Sequence, residues 1–157
     1  MLGYYNRPDL TAEVIKDGVF YTGDLGYIDD KGYAYITGRK KNVIITKNGK
    51  NVFPEELEYY LSNIDIVQES VVFGKEGAVG DDIVIAAYIK LDDEAVAEKY
   101  GEVPDDEKLL KDLWTEVDKI NAENPLFKQI KQIKIKKDEF VKNSSKKIKR
   151  FEAENKF

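Results

Sequence analysis

The sequence predicts an α/β fold of the α+β type: a small two-layer domain with a short antiparallel or mixed sheet, a β-hairpin and packed helices. Three observations predict it. From about residue 42 onward, β-branched runs and amphipathic helical stretches follow one another in the order β-β-α-β-β-α-β. The run 43–46 (VIIT), the turn residues Asn48-Gly49 and the returning 51–53 (NVF) read as a hairpin. After Pro104, the residues Leu109, Leu110, Leu113, Trp114, Val117 and Ile120 recur at helical spacing and point one face at a core.

The first 38 residues read differently, as turns and short strands rich in Tyr and Gly, without enough apolar residues for a core of their own. Leu10, Val14 and Ile15 suggest a single helix after Asp9. Val19-Phe20-Tyr21 and Gly26-Tyr27-Ile28 suggest short strands. Asp29-Asp30-Lys31-Gly32 is turn chemistry leading into Tyr33-Ala34-Tyr35-Ile36, so a hairpin is expected there. The opening resembles the edge of something larger.

Within the second part, Pro54 with Glu55 and Glu56 marks a helix start, since proline suits the first turn and acids complement the helix dipole. Leu57, Leu61 and Ile64 supply its buried stripe. Residues 66 to 73 and 83 to 91 are apolar strands joined by a Gly-containing connection, expected to pair antiparallel. Ile130 through Ile135 gives a last strand with its lysines on the outer face. The segment 142–150 is polar and basic and is expected to be a mobile loop.

Composition narrows the chemistry. Hydrophobic residues at 42%, with ten Tyr and seven Phe, suffice for a core. The chain has no Cys and no His, which removes disulfides, thiolate nucleophiles, Ser-His and Cys-His catalysis and the usual metal ligands. Any chemistry must use Lys, Arg, Asp, Glu, Tyr or backbone amides. No apolar run approaches the roughly 18 to 20 residues of a membrane span. No signal-peptide pattern opens the sequence, and a cytoplasmic protein is the expectation.

Charge is unevenly spread. Residues 126–150 hold ten Lys or Arg against two acids, net +8, while the remainder holds fifteen against 28, net −13. A basic C-terminal arm on an acidic body suits a phosphate or an acidic partner, or else a solvated lysine-rich strand and tail.

Three segments carry candidate chemistry. Asp24, after Gly23, can accept hydrogen bonds from vicinal hydroxyls such as those of a ribose, or can be an ordinary turn acid. Arg39, in the run Gly38-Arg39-Lys40-Lys41-Asn42, offers a planar fork to phosphate or ribose oxygens, or belongs to an exposed basic linker. The segment Asn143-Ser144-Ser145-Lys146-Lys147-Ile148-Lys149-Arg150 lacks the glycines of a phosphate-binding P-loop. A lysine on it can neutralise charge on a phosphoryl oxygen, or the segment is a solvated tail.

In this order, the segments GYYNRPDLT, YTGDLGYIDDKGY, ITGRKKNVIITKNGKNVFPEELE and KKIKR resemble the C-terminal part of the acyl-adenylate-forming superfamily, which includes acyl-CoA synthetases, luciferases and peptide-synthetase adenylation domains. GRKKN, the Asn-Gly turn and KKIKRF look most like bacterial long-chain fatty-acid–CoA ligases. The resemblance implies that residues 1–40 are the end, or stub, of a large N-terminal domain and residues 41–157 a mobile C-terminal lid domain. It implies ATP-dependent, AMP-forming ligation of a fatty acid to CoA, through acyl-AMP and then the thioester, with the lid inactive without its N-terminal partner. It assigns Asp24 and Arg39 to the nucleotide and Lys41 to the hinge. Gly49 falls on the hairpin that approaches the pantetheine tunnel, and Lys147 becomes the catalytic lysine that also contacts the nucleotide. Mg2+ is expected with ATP but outside this segment, and peripheral membrane association of the whole enzyme is a further expectation. Two departures stand out: Lys146 where the family often has Gly, and Lys41 at a hinge that is often Asp, though Lys is also common there. Other readings are the lid of an aryl- or amino-acid-activating enzyme, or a non-catalytic module whose basic tail docks on nucleic acid or anionic membrane. The overall charge of −5 argues against nucleic acid.

Overall fold

The structure is a computed structural model that describes residues 1–77, 83–102 and 104–152. It divides into two compact units, residues 1–42 and residues 43–157.

The first unit begins with α1 (Pro8–Val14), which has proline in its first turn and Asp9 ion-paired to Arg7 at 2.6 Å. Two hairpins follow. β1 (Ile15–Lys16) pairs with β2 (Val19–Phe20) across Asp17-Gly18, and β3 (Asp24–Ile28) pairs with β4 (Ala34–Arg39). Asp29 organises the second turn: its Oδ1 accepts the N–H groups of Lys31 and Tyr33. The expected β-rich character is observed, and so is the lack of a core. Among the described residues no apolar side chain of this unit is buried, and Tyr27 and Tyr35 stack in the open at 5.0 Å. A 3-10 turn over Lys40–Asn42 ends it.

The second unit is the two-layer domain. β5 (Ile44–Ile45) and β6 (Asn51–Val52) form a hairpin, and α2 (Pro54–Leu61) follows with Leu57 and Leu61 buried. β7 (Val67–Glu76) and β8 (Ile83–Leu91) are antiparallel, and β9 (Ile130–Lys136) lies parallel to β8, giving a mixed sheet in the order β7-β8-β9. A parallel partner needs a crossover. The crossover contains α3 (Asp93–Tyr100) and α4 (Asp106–Ala122). Leu61, Val72, Ile85, Ile89, Leu113, Val117 and Ile130 fill the space between helices and sheet. Each such side chain contributes about 1.5 to 3 kcal/mol by leaving water.

Several details differ from the sequence-based expectations. α3 was not expected; its start is set by Asp92, whose carboxylate accepts the N–H groups of Glu94 and Ala95. β7 runs on to Glu76, and residues 78–82 of the following connection lie outside the described residues. On β9, Lys131 and Lys134 face water as expected; the strand runs one residue further than expected, to Lys136, which is buried with its ammonium 5.1 Å from the Tyr88 ring centre. Asn121, at the end of α4, is also buried and exchanges two hydrogen bonds with the backbone of Ile130, which fixes where β9 begins.

The largest correction concerns 142–150. In place of a loose loop there is a small hairpin, with Lys142 bridging Ile148 and the Lys149 N–H donating to the Val141 carbonyl at 2.9 Å. Its last residue, Arg150, is largely buried and ion-paired to Glu58 of α2 at 2.6 Å.

Candidate functional site

In the first unit, Asp24 and Arg39 stand directly opposite each other on β3 and β4. Arg39 Nε lies 2.8 Å from Asp24 Oδ1, and Nη1 donates to the Thr22 carbonyl at 3.2 Å. The Thr22 hydroxyl accepts the Asp24 N–H at 3.0 Å, and the Lys40 N–H donates to the Gly23 carbonyl. The pair is half in solvent, with 25% of the Asp24 side chain and 49% of Arg39 exposed. A partly exposed carboxylate beside a guanidinium suits vicinal hydroxyls next to a phosphate. Lys41 lies in the 3-10 turn, exposed, one residue before the boundary between the units.

In the second unit, Gly49 and Lys147 sit on separate hairpins, each packed on β7. The β5–β6 hairpin closes with Thr46 N–H to Lys50 carbonyl at 3.0 Å and Gly49 N–H to Thr46 carbonyl at 2.8 Å, with Gly49 at φ +69°. This is a three-residue loop ending in a left-handed residue, in place of the two-residue Asn48-Gly49 turn expected. The hairpin meets β7 at Gly74, where a Cβ would fall 2.8 Å from Ile44 Cγ2 and 2.7 Å from Ile83 Cγ2. Beside it opens a cavity of about 240 Å³ bordered by Lys47, Asn48, Phe127, Gln129 and Lys131.

The second hairpin is closed in the same way. Asn143 N–H donates to the Lys147 carbonyl at 2.9 Å, Lys146 N–H donates to the Asn143 carbonyl at 2.9 Å, and Lys146 has φ +60°. The Asn143 side chain adds a third element, its Oδ1 accepting the N–H groups of Ser145 and Lys147. Lys147 is exposed just past the turn. On the leading leg Lys142 Nζ lies 2.7 Å from Glu69 Oε2 of β7, which holds the Lys142 ammonium above its ordinary pKa. On the trailing leg Arg150 meets Glu58. Burial pushes the Glu58 carboxyl up, against the pull of the Arg150 guanidinium.

These two anchors and Asn143 were not singled out in the sequence. For Asn143 a signal existed, because Asn-Ser-Ser is turn chemistry. For Glu58 and Arg150, 92 residues apart, there was none. Among the described residues no cluster of three or more acidic side chains is placed to hold a metal ion, and no helix is long and apolar enough to cross a membrane.

Comparison with known proteins shows the family. The family AMP-binding enzyme C-terminal domain matches residues 41–157. A long-chain-fatty-acid–CoA ligase of Bacillus subtilis is 47% identical over 74 residues, which is 47% of this chain and 13% of that protein. A 2-succinylbenzoate–CoA ligase of Geobacillus kaustophilus is 36% identical over 107 residues, 68% of this chain and 20% of that protein. The chain thus spans a fifth or less of these relatives. Among solved structures, o-succinylbenzoate CoA synthetase of Bacillus subtilis with its acyl-adenylate intermediate is similar with a TM-score of 0.69 and 27% identity, over 94% of this chain and 27% of that one. The fold, the hairpin that carries Lys147 and the match over residues 41–157 lead to one assignment: the chain belongs to the AMP-binding enzyme C-terminal domain family.

Proposed function

We propose that the chain is the mobile C-terminal part of an ATP-dependent, AMP-forming fatty acid–CoA ligase, and that it serves both half-reactions. The observation that carries this reading is the hairpin that lifts Lys147 into solvent on two anchored legs. Acyl-AMP formation gathers negative charge on carboxylate and α-phosphate oxygens. An ammonium held at that point stabilises the transition state more than the ground state.

The remaining residues take roles that suit their geometry. Asp24 accepts the ribose hydroxyls, and Arg39 contacts ribose or phosphate oxygens. Lys41, beside the boundary between the two units, is the hinge about which residues 43–157 turn between half-reactions. The Gly49 hairpin then approaches the thiol-bearing arm of CoA. The adjoining cavity, with Lys47 and Lys131 beside Phe127, suits a ligand that is part anionic and part apolar. Mg2+ accompanies ATP in this reading without a ligand from this chain. The reading includes a cytoplasmic enzyme, and work at a membrane surface would suit an acyl substrate that partitions into lipid.

A second acid, 2-succinylbenzoate, is favoured by one observation: a 2-succinylbenzoate–CoA ligase of a Geobacillus strain is 47% identical over 72 residues. Pyrophosphate exchange by the intact ligase with each acid separates the two. Exchange with palmitate and not with 2-succinylbenzoate is expected; the reverse selects the second reading, and exchange with neither rejects both.

A further inference from the structure

The trailing leg of the Lys147 hairpin ends in an ion pair held by several hydrogen bonds. Arg150 Nη1 donates to Glu58 Oε1 at 2.6 Å and Nη2 to Oε2 at 2.8 Å, a bidentate fork. Nη1 also donates to the Val72 carbonyl at 2.6 Å, and the Val72 N–H donates to Glu58 Oε1 at 2.6 Å. One guanidinium therefore ties α2, the middle of β7 and the hairpin together. The side chains are only 15% and 19% exposed, against 30% and 25% for Lys142 and Glu69 on the other leg.

Burying such a pair is a poor way to gain stability, because desolvation offsets much of the attraction. Direction is what a planar fork supplies: two parallel hydrogen bonds fix where the guanidinium lies and how it is turned. Arg150 follows Lys147 by three residues, a reach of about 10 Å in extended chain. Between them, Ile148 bridges Lys142 and Lys149 bonds Val141, so little slack remains.

We propose that Glu58 and Arg150 are positioning residues that set the placement of Lys147 by fastening its hairpin to α2 and β7. The role toward Lys147 rests on the function proposed above, whereas the fastening does not.

Two variants test it. Glu58→Gln keeps the shape and removes the charge; Arg150→Lys keeps the charge and removes the fork. In this 157-residue chain, amide hydrogen exchange at Ser145, Lys147 and Lys149 is expected to rise about tenfold or more in each variant, while that of Ile85 to Ile89 in β8 stays within about twofold. In the intact ligase, kcat for acyl-AMP formation is expected to fall about 10- to 100-fold with the KM for ATP little changed. Thioester formation from supplied acyl-AMP is expected to persist. Unchanged exchange in the hairpin overturns the fastening. Equal loss of both half-reactions, or faster exchange in β8 as well, reduces the pair to an ordinary stabilising contact and overturns the positioning role. If Glu58→Gln does not fold, Arg150→Lys carries the same readouts. Lys147→Ala measured alongside keeps the two claims apart: if it leaves acyl-AMP formation intact, the function proposed for Lys147 fails while hydrogen exchange still decides the fastening.

Discussion

Gly49 and Lys146 occupy the same backbone position in two different hairpins: the left-handed residue, at φ +69° and +60°, that ends a turn closed by one carbonyl–amide pair. The conformation is free for glycine and costs a side-chain-bearing residue about 1 to 2 kcal/mol. This explains the departure at Lys146. The residue stands in a glycine's place, and the turn it completes presents the next residue, Lys147. The choice of Lys147 over Lys146 as the acting lysine stays part of the proposal, and the paired alanine variants below test it.

Lys146→Gly should stabilise the chain by about 0.5 to 1 kcal/mol, since relief of the strained φ outweighs glycine's greater unfolded-state freedom. Gly49→Ala should cost about 1 kcal/mol for the converse reason. Urea unfolding of the two variants measures both. Stabilisation by Gly49→Ala would refute the turn geometry.

Asp24→Ala should separate a nucleotide ligand from a turn acid. The exposed pair with Arg39 contributes at most about 1 kcal/mol to stability. Loss of a charge-assisted contact to a ribose would weaken nucleotide binding by about 1 to 3 kcal/mol. In the intact ligase the KM for ATP should therefore rise while the melting temperature barely moves. An unchanged KM leaves Asp24 as a partner of Arg39 and nothing more.

Tyr100 gives a pH signature. Burial, and then its hydrogen bond to Asp112 Oδ2 at 2.8 Å, push the phenol up from about 10 to about 12. The folded chain therefore holds this proton more tightly than the unfolded chain. The stability it contributes is fully present below pH 10 and is lost as pH rises from about 10 toward 12. Tyr100→Phe should flatten the alkaline decline of stability in that window and remove one phenol that ionises at about 12 from an absorbance titration. An identical decline in both proteins would mean that neither burial nor the Asp112 hydrogen bond holds the Tyr100 proton.

What could be read from the sequence depended on the range of the interaction. Leu57 and Leu61 on α2 and Leu109, Leu113 and Val117 on α4 are spaced locally, and they are buried as their spacing predicts. Asp29 and the 29–32 turn were legible for the same reason. α3 was missed because its apolar face is thin, with Val96 its one buried residue. Lys136 lies one residue beyond the expected strand, and its ammonium sits over the Tyr88 and Phe140 rings, a contact that pattern cannot show. The segment 142–150 was the most misread. Its composition is that of a tail, and its order comes from Glu58 and Glu69, far away in sequence. Of the candidate site, Asp24, Arg39 and Lys147 are proposed from sequence motifs. The pairing of Asp24 with Arg39 and the two-legged support of Lys147 belong to the fold.

The central claim is that Lys147 acts in adenylation and is dispensable afterwards. Its most direct test is ATP–pyrophosphate exchange by the Lys147→Ala form of the intact ligase, read against thioester formation from supplied acyl-AMP. Loss of one positioned charge at a developing oxyanion costs about 10²- to 10³-fold. The expected result is a fall of that size in exchange with thioester formation largely retained, and Lys146→Ala close to the unmodified enzyme in both. Wild-type exchange in the Lys147→Ala enzyme, or an equal loss in the two half-reactions, would contradict the account.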